Sequence, residues 1–196
     1  MATLTTTRVT PEEYLEFERR SELRHEYRGG EIIEVTGASR EHVRLVWNLT
    51  RILGNQLLDT DCEGFGNDMR VRIPRTGEYV YPDAMIVKGE ARFEDDCFDT
   101  LLNPTVIFEV LSESTETYDR GEKFLNYGTI ESLREYVLVA QDKQRIERYS
   151  RKPGSAEWSY QVFDGPEPIV ELTSIGCSLK LSDLYYKVPL AGSTSN

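Results

Sequence analysis

The chain has 196 residues, 34 of them acidic and 23 basic, for a formal charge of −11. With 39% hydrophobic and 10% aromatic residues it can supply a core, which excludes disorder for the bulk of the chain. No apolar run approaches membrane-spanning length, and the acidity argues against a general nucleic-acid coat, though not against a small site built on bound cations. The length suits one domain, expected over residues 10–187 between flexible ends at 1–9 and 188–196. The N-terminus lacks the charged-then-apolar layout of a secretory signal, so a cytoplasmic protein with reduced thiols and no membrane partner is expected. Cys62, Cys97 and Cys177 have no zinc-site spacing and read as small hydrophobes in or near the core.

Thr10, Pro11 and Glu13 predict a capped helix to about Arg19. His25 to Val35 reads as two strands flanking a Gly29-Gly30 turn. Ser39 caps a long helix to about Leu58, with an apolar stripe at Val46, Leu49, Leu53 and Leu57. Met69, Val71 and Ile73 alternate with Arg70 and Arg72, as in a strand with one wet face. Tyr79 to Val87 predicts a strand interrupted by Pro82, Arg92 to Asp99 an acidic loop, and Thr105 to Leu111 a continuous apolar strand. A helix over Tyr118–Tyr127 follows. Strands at Arg134–Ala140, Arg145–Tyr149 and Trp158–Phe163 come next, then a last helical turn near Ser182–Tyr185. The middle of the chain therefore reads as a mixed sheet with helices on its faces, built from hairpins and one strand–helix–strand crossover.

Within the apolar strand stands one carboxylate, Glu109. An ionised Glu between two apolar faces is costly unless it is paired, bound to a cation, or kept neutral by a raised pKa. A structural Glu–Arg or Glu–Lys pair is thus an open alternative to a functional role. Asp83 opens a second apolar run. A Pro-Asp dipeptide alone usually marks a turn, but two carboxylates on neighbouring strands can hold one hard divalent cation. Asp119, Lys123 and Tyr127 share a helix face; from spacing alone they read as a solvent-exposed i,i+4 pair with a tyrosine beside it. Glu26 alone reads as a solvated hairpin residue, and His42 as a hydrogen-bonded boundary residue. Ser112 and Ser114 have no His partner at a diagnostic spacing, and no glycine-rich nucleotide loop is present.

The order Glu26, Pro82-Asp83, Phe108-Glu109-Val110-Leu111-Ser112, Asp119…Lys123…Tyr127 and Glu135-Tyr136-Val137-Leu138-Val139 resembles the Uma family. These are predicted endonucleases of the restriction-endonuclease-like PD-(D/E)XK nuclease superfamily, numerous in cyanobacteria. The similarity runs from about Thr10 to Tyr185 and is most specific over Glu109–Thr115, followed by Asp119, Lys123 and Tyr127. The resemblance implies an α/β restriction-endonuclease-like fold, a central mixed β-sheet flanked by helices. It implies Glu26, Asp83, Glu109 and Lys123 as catalytic residues. Asp83 and Glu109 would be ligands of Mg²⁺ (or Mn²⁺), helped by the Val110 carbonyl, with Tyr127 and His42 as accessory candidates. The superfamily lysine normally falls two residues after the second acid, where this chain has Leu111; Lys123 is its candidate replacement.

The expected activity is metal-assisted hydrolysis of phosphodiester bonds in DNA by a homodimer. Arg70, Arg72 and the stretch Lys143, Arg145, Arg148, Arg151 and Lys152 are candidate backbone contacts. The alternatives are a catalytically inactive nuclease-like module acting through protein or nucleic-acid contacts, and a metal-free acid–base enzyme using the Asp83–Glu109 pair.

Overall fold

The computed structural model describes residues 8–112 and 115–190. Of the expected ends at 1–9 and 188–196, residues 1–7 and 191–196 lie outside the described residues, as do Glu113–Ser114 within the Glu109–Thr115 motif. Helix α1 (Pro11–Glu18) begins with a full capping box: Thr10 Oγ1 accepts from Glu13 N and Glu13 Oε2 accepts from Thr10 N at 2.8 Å. Strands β1 (His25–Arg28) and β2 (Glu31–Glu34) form the expected hairpin. Gly29 and Gly30 turn it with φ of 56° and 90°, a region only glycine enters cheaply. Helix α2 (Arg40–Leu57) starts at the Ser39 cap and buries Leu45, Asn48, Leu49 and Leu53. The buried stripe is thus rotated slightly from the expected one, with Val46 and Leu57 at its half-buried flank.

Six strands make the main sheet. They are β3 (Cys62–Gly66), β6 (Ala84–Lys88), β8 (Val106–Leu111), β9 (Glu135–Ala140), β10 (Arg145–Ser150) and β11 (Ser159–Asp164), in the order β11-β10-β9-β8-β6-β3. All neighbours are antiparallel except β8 and β9, which run parallel with Val106 beside Glu135 and Leu111 beside Ala140. A parallel pair needs a crossover. Here it is the continuous helix made of α3 (Glu116–Tyr118), a π-turn (Asp119–Lys123) and α4 (Phe124–Tyr127). A second sheet joins β1 and β2 to β4 (Arg70–Arg72), β5 (Tyr79–Val80) and β7 (Thr100–Leu101) in the order β2-β1-β5-β4-β7. A hairpin of β12 (Ile169–Leu172) and β13 (Cys177–Lys180) leads into α5 (Leu181–Leu184).

The main sheet separates two cores. On one face Phe108, Val110, Val137 and Val139 pack with α2, β12, β13 and α5. On the other, Met85, Ile107 and Leu111 pack with Tyr127, Ile130, Leu133 and Tyr136. Side chains alternate along a strand, so Glu109 points into the second core between Ile107 and Leu111.

Several expectations change. Tyr79–Val87 is two strands of different sheets, because Pro82 cannot donate to a ladder and the chain crosses between sheets at Tyr81-Pro82-Asp83. Arg70 does not face water: it is 3% exposed and paired with Asp99. Of the cysteines only Cys177 is buried; Cys62 is half-buried and Cys97 exposed. The basic stretch is largely consumed by the fold. Arg145 pairs with Asp164 at 2.7 Å, Arg148 bonds the Glu171 carbonyl, and Arg151 bonds the carbonyls of Leu133 and Gly128 while lying over Trp158. Arg72 pairs with Glu94. These arginines are tied to protein partners, which weakens them as a nucleic-acid track.

Candidate active site

Strand β8 is buried along its whole length, so Glu109 sits in the interior at 4% exposure. Its carboxylate is held from the crossover helix: Tyr127 Oη donates to Oε1 at 2.9 Å, and Lys123 Nζ lies 2.7 Å from the same oxygen. Lys123 also lies 3.3 Å from Asp119 Oδ1. All three helical residues are buried, contrary to the exposed pair that spacing suggests. The crossover presses this helix onto the sheet, and the π-turn puts Asp119 and Lys123 together on the inward side; π-turns of this kind often mark functional sites. The Glu–Lys pair foreseen as a structural alternative for Glu109 is therefore present, within a larger charged cluster.

Asp83 follows Pro82 at the seam between the two sheets. Its Oδ2 accepts the Val110 N–H at 2.7 Å, so it is fastened to the residue next to Glu109. Its Oδ1 is 2.8 Å from His42 Nε2, which reaches in from the first turn of α2. Glu26 is not solvated: at 5% exposure it accepts Tyr81 N at 3.1 Å and Arg28 Nε at 2.9 Å, and Arg28 in turn lies 4.2 Å over the Tyr118 ring.

Glu26, His42, Asp83, Glu109 and Lys123 line one cavity of about 310 Å³. Tyr127 stands behind Glu109 rather than in the wall. The cavity also contains Asp119, Arg28 and Tyr118, which the sequence did not mark as site residues. The four-residue step from Asp119 to Lys123, and the place of Asp119 in the motif that carries the resemblance, hinted at the first of them.

The cluster is short of positive charge. Inside, Glu26, Asp83, Glu109 and Asp119 face Lys123 and Arg28; the rim adds Glu34 and Arg24. Burial first, then Asp119 and Asp83, push the Glu109 pKa up to about 8 against the pull of Lys123. Burial works against a charged Lys123, but Glu109, Asp119 and Glu26 outweigh it and its pKa is raised, so the ammonium persists. Burial and the neighbouring Glu109 raise the Tyr127 hydroxyl well above 10, which keeps it a donor. Asp119 Oδ1 is buried and has no hydrogen-bond partner beyond its ion pair with Lys123.

Among the described residues, no three His, Cys, Asp or Glu side chains are arranged as a metal cage. The donors are instead hard carboxylate oxygens, in excess over the local cations, and one buried oxygen, Asp119 Oδ1, is met only by the Lys123 ion pair. That set suits a hard divalent ion which takes one or two carboxylates and completes its shell with water, and it does not suit a soft metal.

The mixed sheet, the parallel β8–β9 crossover and the acidic cavity at the seam make this a restriction-endonuclease-like α/β protein. A crystal structure from Anabaena variabilis, described as a "putative nuclease belonging to DUF820", matches with a TM-score of 0.74 at 18% identity, covering 90% of this chain and 97% of that one. At this identity the match speaks for the fold. Residues 11–182 match the Uma2 family, described as "Putative restriction endonuclease", and the chain belongs to that family. Two uncharacterized proteins of Synechocystis sp. are similar. One, sll1609, is 38% identical over 88% of this chain and 97% of its own length; the other, slr1290, is 34% identical over 91% and 92%. Among the described residues no helix is long and apolar enough to cross a membrane.

Proposed function

We propose that the protein is a divalent-metal-dependent endonuclease acting on phosphodiester bonds in DNA. The observation that carries this reading is the convergence of Asp83, Glu109 and Lys123 on one cation-poor cavity. Asp83 and Glu109 are the residues to hold Mg²⁺ or Mn²⁺, which when bound supplies Lewis-acid polarisation of the phosphate and a lower pKa for a coordinated water. The chain's own groups do the rest. Val110 N–H and His42 fix Asp83, while the Tyr127 hydroxyl fixes Glu109. Lys123, kept protonated by its carboxylate neighbours, stabilises charge on the phosphate oxygens and orients the attacking water; its raised pKa suits it poorly to proton abstraction. Leu111, at the usual lysine position, packs in the apolar core. Lys123 reaches Glu109 from the helix instead, and this favours an active enzyme over an inert module.

The test is cleavage of single- and double-stranded DNA, with an RNA arm, in Mg²⁺, Mn²⁺ or chelator. Cleavage should require metal and fall by about 10²-fold or more in Glu109→Ala, Asp83→Ala and Lys123→Met. A cooperative thermal melt in chelator should confirm that each variant is folded. Cleavage that survives in chelator or in folded Glu109→Ala overturns the proposal. Stable DNA binding without any cleavage points to the inactive module.

A further inference from the structure

Helix α2 has two contrasting sides. Its inner side delivers His42 to the cavity. At 100° per residue, the outer side carries Arg40, Val43, Arg44, Trp47, Thr50 and Arg51. Arg40, Arg44 and Arg51 are exposed and, among the described residues, have no ion-pair or hydrogen-bond partner. No acidic residue falls among them; Glu41 lies at the edge of this face. In a chain of net charge −11, where Arg70, Arg72, Arg145, Arg148 and Arg151 are tied to carboxylates or carbonyls, three unpaired guanidinium groups on one helix face are a local reversal of sign. Trp47 and Val43 stand between them, 63% and 57% exposed. A shallow groove formed by Ala38, Ser39, Arg40, Val43, Arg44 and Trp47 adjoins the cavity, and Ala38 and Ser39 belong to both.

We propose that this face of α2 is the docking track for the substrate strand: a single-stranded polynucleotide whose phosphates lie on Arg40, Arg44 and Arg51, with an unpaired base stacked on Trp47. The proposal rests on the endonuclease reading and adds to it the partner surface and the strandedness. Charge complementarity selects a polyanion, since the track is cationic on an acidic molecule. The exposed indole selects unpaired bases, whose faces are free to stack, over a duplex whose bases are already stacked. From Arg40 to Arg51 the helix rises about 16 Å, comparable to about five stacked nucleotides. The continuity with the cavity through Ala38 and Ser39 explains how a strand on this track reaches Asp83 and Glu109.

The experiment measures fluorescence anisotropy of labelled oligodeoxynucleotides, single- and double-stranded, in chelator so that binding is read without cleavage. The parent protein should prefer the single strand. Trp47→Ala should weaken single-strand binding by about 5- to 150-fold and duplex binding much less, with Trp47→Phe retaining most of it. Arg40→Ala/Arg44→Ala/Arg51→Ala should reduce the slope of log affinity against log salt by about 2.

In parallel, metal-dependent hydrolysis of bis(p-nitrophenyl) phosphate, too small to span the track, should be unchanged in these surface variants. Loss of that activity in the parent would fail the endonuclease reading while leaving the binding test intact. Unchanged single-strand binding in both Trp47→Ala and the triple variant overturns the track. So does a dimer that becomes monomeric in these variants with DNA affinity preserved, because the face is then a contact between two copies.

Discussion

Replacing Glu109 by Gln in metal-free buffer should stabilise the protein in a strongly pH-dependent way. Glu109 is 4% exposed, and its pKa is lifted from the ordinary 4.5 to about 8, chiefly by burial. A carboxyl whose folded pKa is raised keeps its full contribution below the unfolded value and loses stability as pH climbs toward the folded one. The loss accrues at about 1.4 kcal/mol per pH step above 4.5, so it reaches about 3 kcal/mol at pH 7. Gln imitates the protonated acid and retains an oxygen for Tyr127 and Lys123, so it escapes this penalty. Urea melts of both proteins in chelator should therefore coincide near pH 4.5 and separate by about 3 kcal/mol, variant above parent, at pH 7. Added Mg²⁺ should close the gap by stabilising the parent alone, through mass action on the folded state. A gap that is constant across pH, or a variant less stable than the parent at pH 7, would refute the claim that burial holds the Glu109 pKa well above its ordinary value.

Four further outcomes are expected from other contacts. His42→Ala should weaken Mn²⁺ binding about 10- to 100-fold by calorimetry, because Asp83 loses the imidazole that orients it; unchanged affinity would remove His42 from the site. Asp99→Asn should cost about 3 kcal/mol at neutral pH, because it leaves the buried Arg70 without its carboxylate. Burial works to raise Asp99, but Arg19 and Arg70 outweigh it and lower its pKa below 3.8, so this stability is present above that value and the difference from the parent should narrow in acid melts below it. Tyr185→Phe should cost about 1–3 kcal/mol in denaturant melts, since its hydroxyl lies 2.6 Å and 2.8 Å from the carbonyls of Ala140 and Arg145. Thr10→Ala should cost about 1 kcal/mol by removing the cap of α1.

The parts of the molecule that were legible in the sequence are those where one local pattern decides. The cap at Thr10, the Gly29-Gly30 turn and the lone carboxylate in Val106–Leu111 each have a single cheap solution. Burial of Asp119 and Lys123 was not legible, because an i,i+4 ion pair has the same spacing on a wet face as on a dry one; only the crossover decides which. Arg70 was misjudged for the same reason: alternation with Val71 announces a strand, and the dry partner, Asp99, lies 29 residues on. Strand β3 hides because its Cys-Glu-Gly-Phe-Gly sequence has little strand propensity and is held by pairing with β6. Glu26 needed the resemblance to be noticed at all, and the N–H that meets its buried carboxylate, that of Tyr81, arrives from another part of the chain.

The π-turn at Asp119–Lys123 amounts to one residue more than regular winding needs. Removing Gly121 would let the helix relax to ordinary pitch with its flanking turns in place, and would bring Asp119 and Lys123 from four residues apart to three. Tyr127 and the packing of Phe124 would stay in place, and Asp119 and Lys123 would still share a helix face, but without the widened turn that now sets them against the cavity. The extra residue can thus be shed without dismantling the protein around it; what it sets is the spacing of the charged pair on the cavity wall.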